Sequence, residues 1–235
     1  MVEHFGVTTP LDHQAVVVTG GSSGLGAAVV AALLAEGAEP HVLDLSPPKH
    51  DVPHVLVDLS EPGAAADAVA RLVGDRRVRG VVTAAGTDAC GRLDDVPQAA
   101  WDRVIAVNLL GTAAVVRAVL PRLAPGGDIM TVASTLGLRA LSDATAYCAS
   151  KFGVVGFTRA LARELSGRHR VTLIIPGGMA TSFFDDRTEQ YRPGADVLLA
   201  DPRHVASLVV AAMALPPEIE VKELLVGPPG ESSWP

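Results

Sequence analysis

The 235-residue chain is 49% hydrophobic and only 19% charged, with 19 basic against 26 acidic residues and a formal net charge of −7. This balance excludes an intrinsically disordered chain, and no basic block offsets the acidic excess, so nucleic acid and anionic membrane are poor partners. A single domain spanning 1–235 is expected, its core large enough to need no staples.

Residues 1–14 read as an N-terminal extension with neither a basic n-region nor an apolar h-region, and no uninterrupted apolar run approaches the ~18 residues of a membrane span. Cys90 and Cys148 are too few for a disulfide framework. Together these predict a cytoplasmic protein.

In chain order, the first strand is predicted at Ala15–Thr19, and Gly20-Gly21-Ser22-Ser23-Gly24-Leu25-Gly26 follows it directly. Gly20 permits a tight turn, Gly24 lets backbone approach a pyrophosphate, and Gly26 lets helix and sheet pack closely. The helix Leu25–Glu36, stopped by Gly37, would then offer its unpaired N–H groups to phosphates. A second strand, His41–Asp44, ends in an acid 18 residues after Gly26, where a dinucleotide fold places the partner of the adenosine ribose hydroxyls. An NADP 2′-phosphate at ~4 Å from Asp44 would be repelled by about 4 kcal/mol per charge pair at an effective dielectric near 20. Ser23 and Leu45 supply no compensating base, so NAD is expected over NADP.

Next come a strand at His54–Asp58, a helix at Ala64–Val73 before Gly74, and a strand at Gly80–Thr83. One long helix is predicted over Gln98–Leu123, then a strand at Asp128–Val132. Ser134 follows that strand. Tyr147 lies 13 residues later, and Lys151 one helical turn beyond it in the helix Tyr147–Leu165. A nearby cation favours phenolate and lowers a Tyr pKa, giving a group that exchanges a proton with a carbonyl or alcohol. A strand at Val171–Ile175, a helix at Pro202–Leu215, a strand at Glu223–Val226 and an exposed tail, 228–235, complete the chain. Strands with few polar residues, alternating with helices, predict a doubly wound α/β Rossmann fold, a seven-stranded parallel sheet covered on both faces.

The glycine loop, Asp44, Ser134 and Tyr147/Lys151 together resemble the short-chain dehydrogenase/reductase family in its Ser-Tyr-Lys branch. Further marks stand in order: Asp58-Leu59, Ala85-Gly86, Asn108, Pro176-Gly177 and Thr181. The resemblance implies that Tyr147 is the acid/base, that Lys151 bonds the nicotinamide ribose and lowers the Tyr147 pKa, and that Ser134 orients the substrate oxygen. It implies that Asn108 holds a water linking Lys151 to solvent. It places Gly20, Ser22, Ser23, Gly24, Leu25, Gly26, Asp44, Asp58 and Leu59 at the adenosine and pyrophosphate. Ala85 and Gly86 lie along the cofactor, and Pro176, Gly177, Met179 and Thr181 surround the carboxamide. The chain departs from the family's Asn-Asn-Ala-Gly with Thr83-Ala84-Ala85-Gly86, where the Thr83 hydroxyl is expected to replace part of the lost amide bonding.

The segment 178–200 reads as a substrate lid. Its Phe183, Phe184 and Tyr191, with Leu136, Leu138 and Leu141 opposite and Ser134 and Tyr147 at the base, predict an apolar or ring-bearing substrate of modest size. Scattered histidines and the lack of paired ligand spacings predict no metal. Arg159, Arg163, Arg168 and Arg170 read as a solvated or intersubunit surface. Surplus apolar residues on the two long helices (Ile105, Leu109, Val115, Val116 and Val119; Val154, Val155, Phe157 and Leu161) predict a homodimer or, as the family implies, a homotetramer. The expected function is NAD(H)-dependent oxidation of a secondary alcohol or reduction of its ketone. The alternatives are an NADPH-dependent 3-oxoacyl or polyketide-type ketoreductase and an NAD-sensing regulator without turnover.

Overall fold

The computed structural model describes residues 10–231 and residue 233. The first nine residues of the expected N-terminal extension, and residues 232, 234 and 235 of the tail, lie outside the described residues. Seven parallel strands run in the order β3-β2-β1-β4-β5-β6-β7. They are β1 Ala15–Thr19, β2 Glu39–Asp44, β3 His54–Leu56, β4 Val78–Thr83, β5 Leu123–Val132, β6 Arg170–Pro176 and β7 Glu223–Val226. Helices α1 (Gly24–Ala35) and α6 (Pro202–Met213) pack on one face, where Val16, Val18, Val29, Leu33, Val209 and Met213 are buried together. On the other face, α2 (Ala64–Val73), α4 (Thr112–Val119) and α5 (Thr145–Glu164) bury Val69, Val81, Val115, Val119 and Leu161. Each central strand is apolar on both sides because each side meets helices.

The edges depart from the expected cover. In β3 both His54 and Leu56 are exposed, and in β7 exposed and half-buried residues alternate, because each has a neighbouring strand on one side only. The predicted long helix is also interrupted. Regular helix holds over α3 (Gln98–Ile105), a π-helical turn takes Ala106–Gly111, α4 follows, and Leu123 already belongs to β5. The run Gln98–Arg122 is long and apolar enough to cross a membrane by length and composition, yet α4 lies packed against the sheet as one of its layers.

At the amino ends of β4, β5 and β6, Asp128 is buried between Arg79 and Arg170. Arg170 donates through Nε (2.7 Å) and Nη2 (3.1 Å) to the carboxylate. It also reaches the carbonyl of Met213 at the end of α6, as Arg79 does. Arg170 is therefore a buried strut between sheet and helix and not part of a surface cluster.

The opposite, carboxyl edge gathers every motif. Thr19 pairs with Leu43 and Thr83, Thr83 with Thr131, Val132 with Ile174, and Pro176 with Val226. The loops after these strands open on one crevice, at the point between β1 and β4 where strand order reverses and open α/β sheets bind ligands.

Candidate active site

The glycine loop is shaped by close contact. Gly20 and Gly24 have φ of +69° and +51°, and a Cβ on Gly20 would lie 2.8 Å from the Ala85 backbone. A Cβ on Gly26 would lie 2.0 Å from the Gly20 carbonyl oxygen, so only glycine lets α1 start here. No side chain caps α1, which leaves its first amides for a ligand. Asp44 closes the loop from β2, accepting from the Ser22 amide (2.9 Å) and the Ser46 amide (3.1 Å). Across the crevice, Thr181 comes within van der Waals reach of a Cβ at Gly24. The two predicted cofactor-binding segments, Gly20–Gly26 and Pro176–Thr181, thus face each other, and the half-buried Met179 packs against the core beneath α1 and α6. Such a cradle of glycine backbone, uncapped helix and strand-end acid fits a dinucleotide.

Asp58 is half-buried and bonded to Ser60 and Arg103. Burial works against its ionisation, but these bonds outweigh it and hold the carboxyl below its ordinary value. Leu59 lies beside it against Gly111 of the π-helical turn. At the end of β4 the Thr83 hydroxyl is buried without a partner among the described residues, contrary to the expected substitution for an amide. Thr19 does that work from β1, its Oγ accepting from the Ala85 amide at 3.1 Å.

Tyr147, Lys151, Ser134 and Asn108 come together from α5, the end of β5 and the π-helical turn. Asn108 is fully buried. It accepts from the Thr87 amide (2.8 Å) and donates to the Thr87 carbonyl (2.9 Å) and Ser150 Oγ (3.0 Å). A Cβ on Gly86 would stand at ordinary contact distance, 3.5 Å from Asn108 Oδ1 and 3.7 Å from Lys151 Nζ, so the strand-end loop lies against both. Lys151 is buried, donates to the Val132 carbonyl at 3.0 Å, and sits 5.6 Å from the centre of the Tyr147 ring. Burial pushes its ammonium down to about 8, opposed by the charge of Asp88. Burial likewise pushes the Tyr147 phenol up to about 12, against the opposing pull of the Ser134 hydroxyl. The expected net lowering of the phenol by Lys151 is therefore reversed here, because loss of solvent costs the phenolate more than its neighbours return. Ser134 Oγ also accepts from the Leu136 amide, which fixes the hydroxyl at the start of its turn.

The lid descends onto this cluster. The Phe183 ring lies 5.7 Å from that of Tyr147, and Phe184 stands edge-on to Phe183 at 5.7 Å. Leu136 is half-buried, but Leu141 is exposed, and Leu138 packs into the core with Val154 and Val155. These last two leucines do not form the expected wall, because the chain after Gly137 turns one inward and the other to solvent.

Asp88, Arg187 and Asp143, which the sequence reading did not name, complete the wall with Cys90 and Tyr191. Arg187 of the lid pairs with Asp88 (2.5 Å) and covers the faces of Phe183 and Phe184. Cys90 also donates to Asp88, and burial pushes this thiol up to about 12, which keeps it protonated at neutral pH. Tyr191 of the lid reaches Asp143, a non-glycine residue at φ +59° just before α5. Asp88, two residues after Gly86 on a strand-end loop, carried a readable signal; Arg187 did not, since its partner is 99 residues away.

Comparison with known proteins places these features. Residues 14–192 match the family model described as short chain dehydrogenase. The chain is 36% identical over 184 residues to a D-threitol dehydrogenase of Mycolicibacterium smegmatis, covering 71% of this chain and 70% of that protein. Its fold matches the aldohexose dehydrogenase of Thermoplasma acidophilum with a TM-score of 0.83 at 23% identity, over 93% of this chain and 94% of that one. A short chain dehydrogenase from Burkholderia cenocepacia, solved in complex with NADP, matches with a TM-score of 0.79 at 25% identity, over 93% and 98%.

Proposed function

This chain belongs to the short-chain dehydrogenases and is an oxidoreductase of alcohol and ketone groups, and from that premise we propose that it passes hydride between NAD(H) and a secondary alcohol or its ketone, with Tyr147 as acid/base. The observation that carries the reading is the convergence of Tyr147, Ser134 and Lys151 under the lid, at the mouth of the glycine-lined cradle. Gly20–Gly26 would hold the pyrophosphate, Asp44 the adenosine ribose, Asp58 and Leu59 the adenine, and Lys151 the nicotinamide ribose. Pro176, Gly177, Met179 and Thr181 would flank the carboxamide.

When bound, the cofactor supplies or accepts the hydride and, in its oxidised form, a positive ring. The phenol of Tyr147, protonated at neutral pH, gives its proton to a carbonyl oxygen that Ser134 holds. For alcohol oxidation it must lose that proton first. Lys151 stabilises the phenolate by its charge and connects the proton through the Asn108 turn to solvent. Phe183 beside Tyr147 and the Asp88–Arg187 pair would present a substrate of modest size with both an apolar and a polar side. The likeness to a D-threitol dehydrogenase supports that scale.

Asp44 supports NAD: no basic group stands among Ser22, Ser23, Leu45 and Ser46. The NADP complex of a relative keeps a second reading open, an NADPH-dependent ketoreductase. Asp44→Asn separates them, since it removes the charge while its one carbonyl oxygen still accepts from either the Ser22 or the Ser46 amide. The ratio of kcat/KM for NADP over NAD, measured on a panel of secondary alcohols, should rise roughly tenfold or more, the equivalent of about 1.4 kcal/mol. A wild type that already prefers NADP overturns the NAD reading, and no turnover with either cofactor overturns the enzyme reading. We further propose a cytoplasmic protein working as a homodimer or homotetramer.

A further inference from the structure

We propose that Glu231, in the tail beyond β7, is a positioning residue of the active site that ties the turn after β6 to the loop carrying Ser134. The tail was expected to be exposed. Instead, Gly230 at φ +79° reverses it, and Glu231 returns over the carboxyl edge of the sheet. One carboxylate oxygen, Oε2, accepts from the Gly178 amide at 2.7 Å. Gly177 beside it leaves space for this oxygen, since a Cβ there would lie 2.3 Å away and push the carboxylate aside. The other oxygen accepts from Ser233, from its hydroxyl at 2.7 Å and its amide at 3.2 Å. Ser233 Oγ lies 2.6 Å from Thr135 Oγ1. Its single proton goes to Glu231, so Thr135 is the donor in that last bond.

The chain Gly178–Glu231–Ser233–Thr135 therefore spans from the end of β6 to the end of β5. Its first member sits in the segment assigned to the nicotinamide carboxamide and its last is bonded in sequence to Ser134. A carboxylate accepting three bonds at once is a strong fastener, and its held-down pKa keeps it ionised at neutral pH. Fixing these two loops relative to each other fixes hydride donor against substrate oxygen, a geometry to which rate is steeply sensitive. The inference rests on the cofactor placement given under the proposed function.

The test uses the full chain as wild type, Glu231→Ala, Glu231→Gln and Ser233→Ala. It reads amide exchange at Gly178 without added cofactor, Kd for NADH or NADPH by fluorescence titration, kcat, KM and melting temperature. Glu231→Ala should speed Gly178 exchange and, from a loosened site, weaken cofactor binding and lower kcat by roughly tenfold each, with a melting temperature within a few degrees of wild type. Glu231→Gln, which keeps one carbonyl acceptor, should recover part of each loss. Ser233→Ala should lower kcat more than it raises Kd, because it cuts only the Ser134 side. Wild-type exchange, binding and kcat in Glu231→Ala would overturn the proposal, as would losses that merely follow melting temperature across all three variants. A wild type that binds neither cofactor would overturn the cofactor reading instead, leaving Gly178 exchange to decide the tie itself.

Discussion

Lys151 is 4% exposed, and its ammonium is held by the Val132 carbonyl at 3.0 Å. Its pKa of about 8, against an ordinary 10.5, means the folded protein holds this proton less tightly than the unfolded chain. Between those values the unfolded state binds more protons, so stability must rise with pH. Below about 8 both states are charged and the dependence vanishes. Tyr147 acts oppositely above its ordinary value of 10, since its folded pKa is raised to about 12 and stability falls through that interval. Urea denaturation of wild type and Lys151→Met at a series of pH values isolates the lysine. The wild type should gain on the variant by about 3 kcal/mol from pH 8 to 10.5. A flat difference would show Lys151 to be solvated. The residues legible in the sequence are those whose type and spacing carry chemistry, such as Tyr147 and Lys151 one helical turn apart. Glu231 and Arg187 were illegible because each acts on a partner 53 or 99 residues away, and no local pattern records such a pairing.

Among the elements, the strands and most helices follow from alternation of apolar runs with glycine stops, and their centres fall where periodicity places them. The π-helical turn Ala106–Gly111 does not, because its cause is tertiary: Asn108 must point at Thr87 and Ser150, and an extra residue in the turn supplies that aim. The lower ends of β4 and β6 were also read short, since Arg79 and Arg170 looked like loop, while β5 was read short because Pro125-Gly126-Gly127 looked like a turn. The ends are charged because Asp128 holds Arg79 and Arg170 in a buried cluster that also receives the end of α6. Removing the central charge strands two guanidinium groups away from water. Asp128→Asn should cost about 3–5 kcal/mol, read as a lower urea midpoint with an unchanged slope. A loss under 1 kcal/mol would mean that the arginines find other acceptors at no cost.

For the whole molecule, the doubly wound sheet was legible because strict alternation allows few other folds. Its assembly was less so. Of the residues named as surplus, Val115, Val116, Val119, Val154, Val155 and Leu161 are buried within the chain itself. What stays open on these segments is Leu110, 60% exposed, in the π-helical turn, and Phe152, 45% exposed, one turn before the open Gly156 on α5. These exposed apolar side chains are fewer than expected, and pairing them with a second copy would bury them. Light scattering at micromolar concentration should give at least twice the 24.2 kDa of one chain, and a monomer would refute the pairing. The central claim is that the molecule moves a proton through Tyr147 while hydride moves along the cradle. Its most direct test is turnover of a responsive alcohol or ketone by Tyr147→Phe, with cofactor affinity measured on the same sample. Loss of roughly 10²- to 10⁴-fold in kcat with cofactor binding intact is the predicted result. A phenylalanine variant that retains most of the wild-type rate would contradict it.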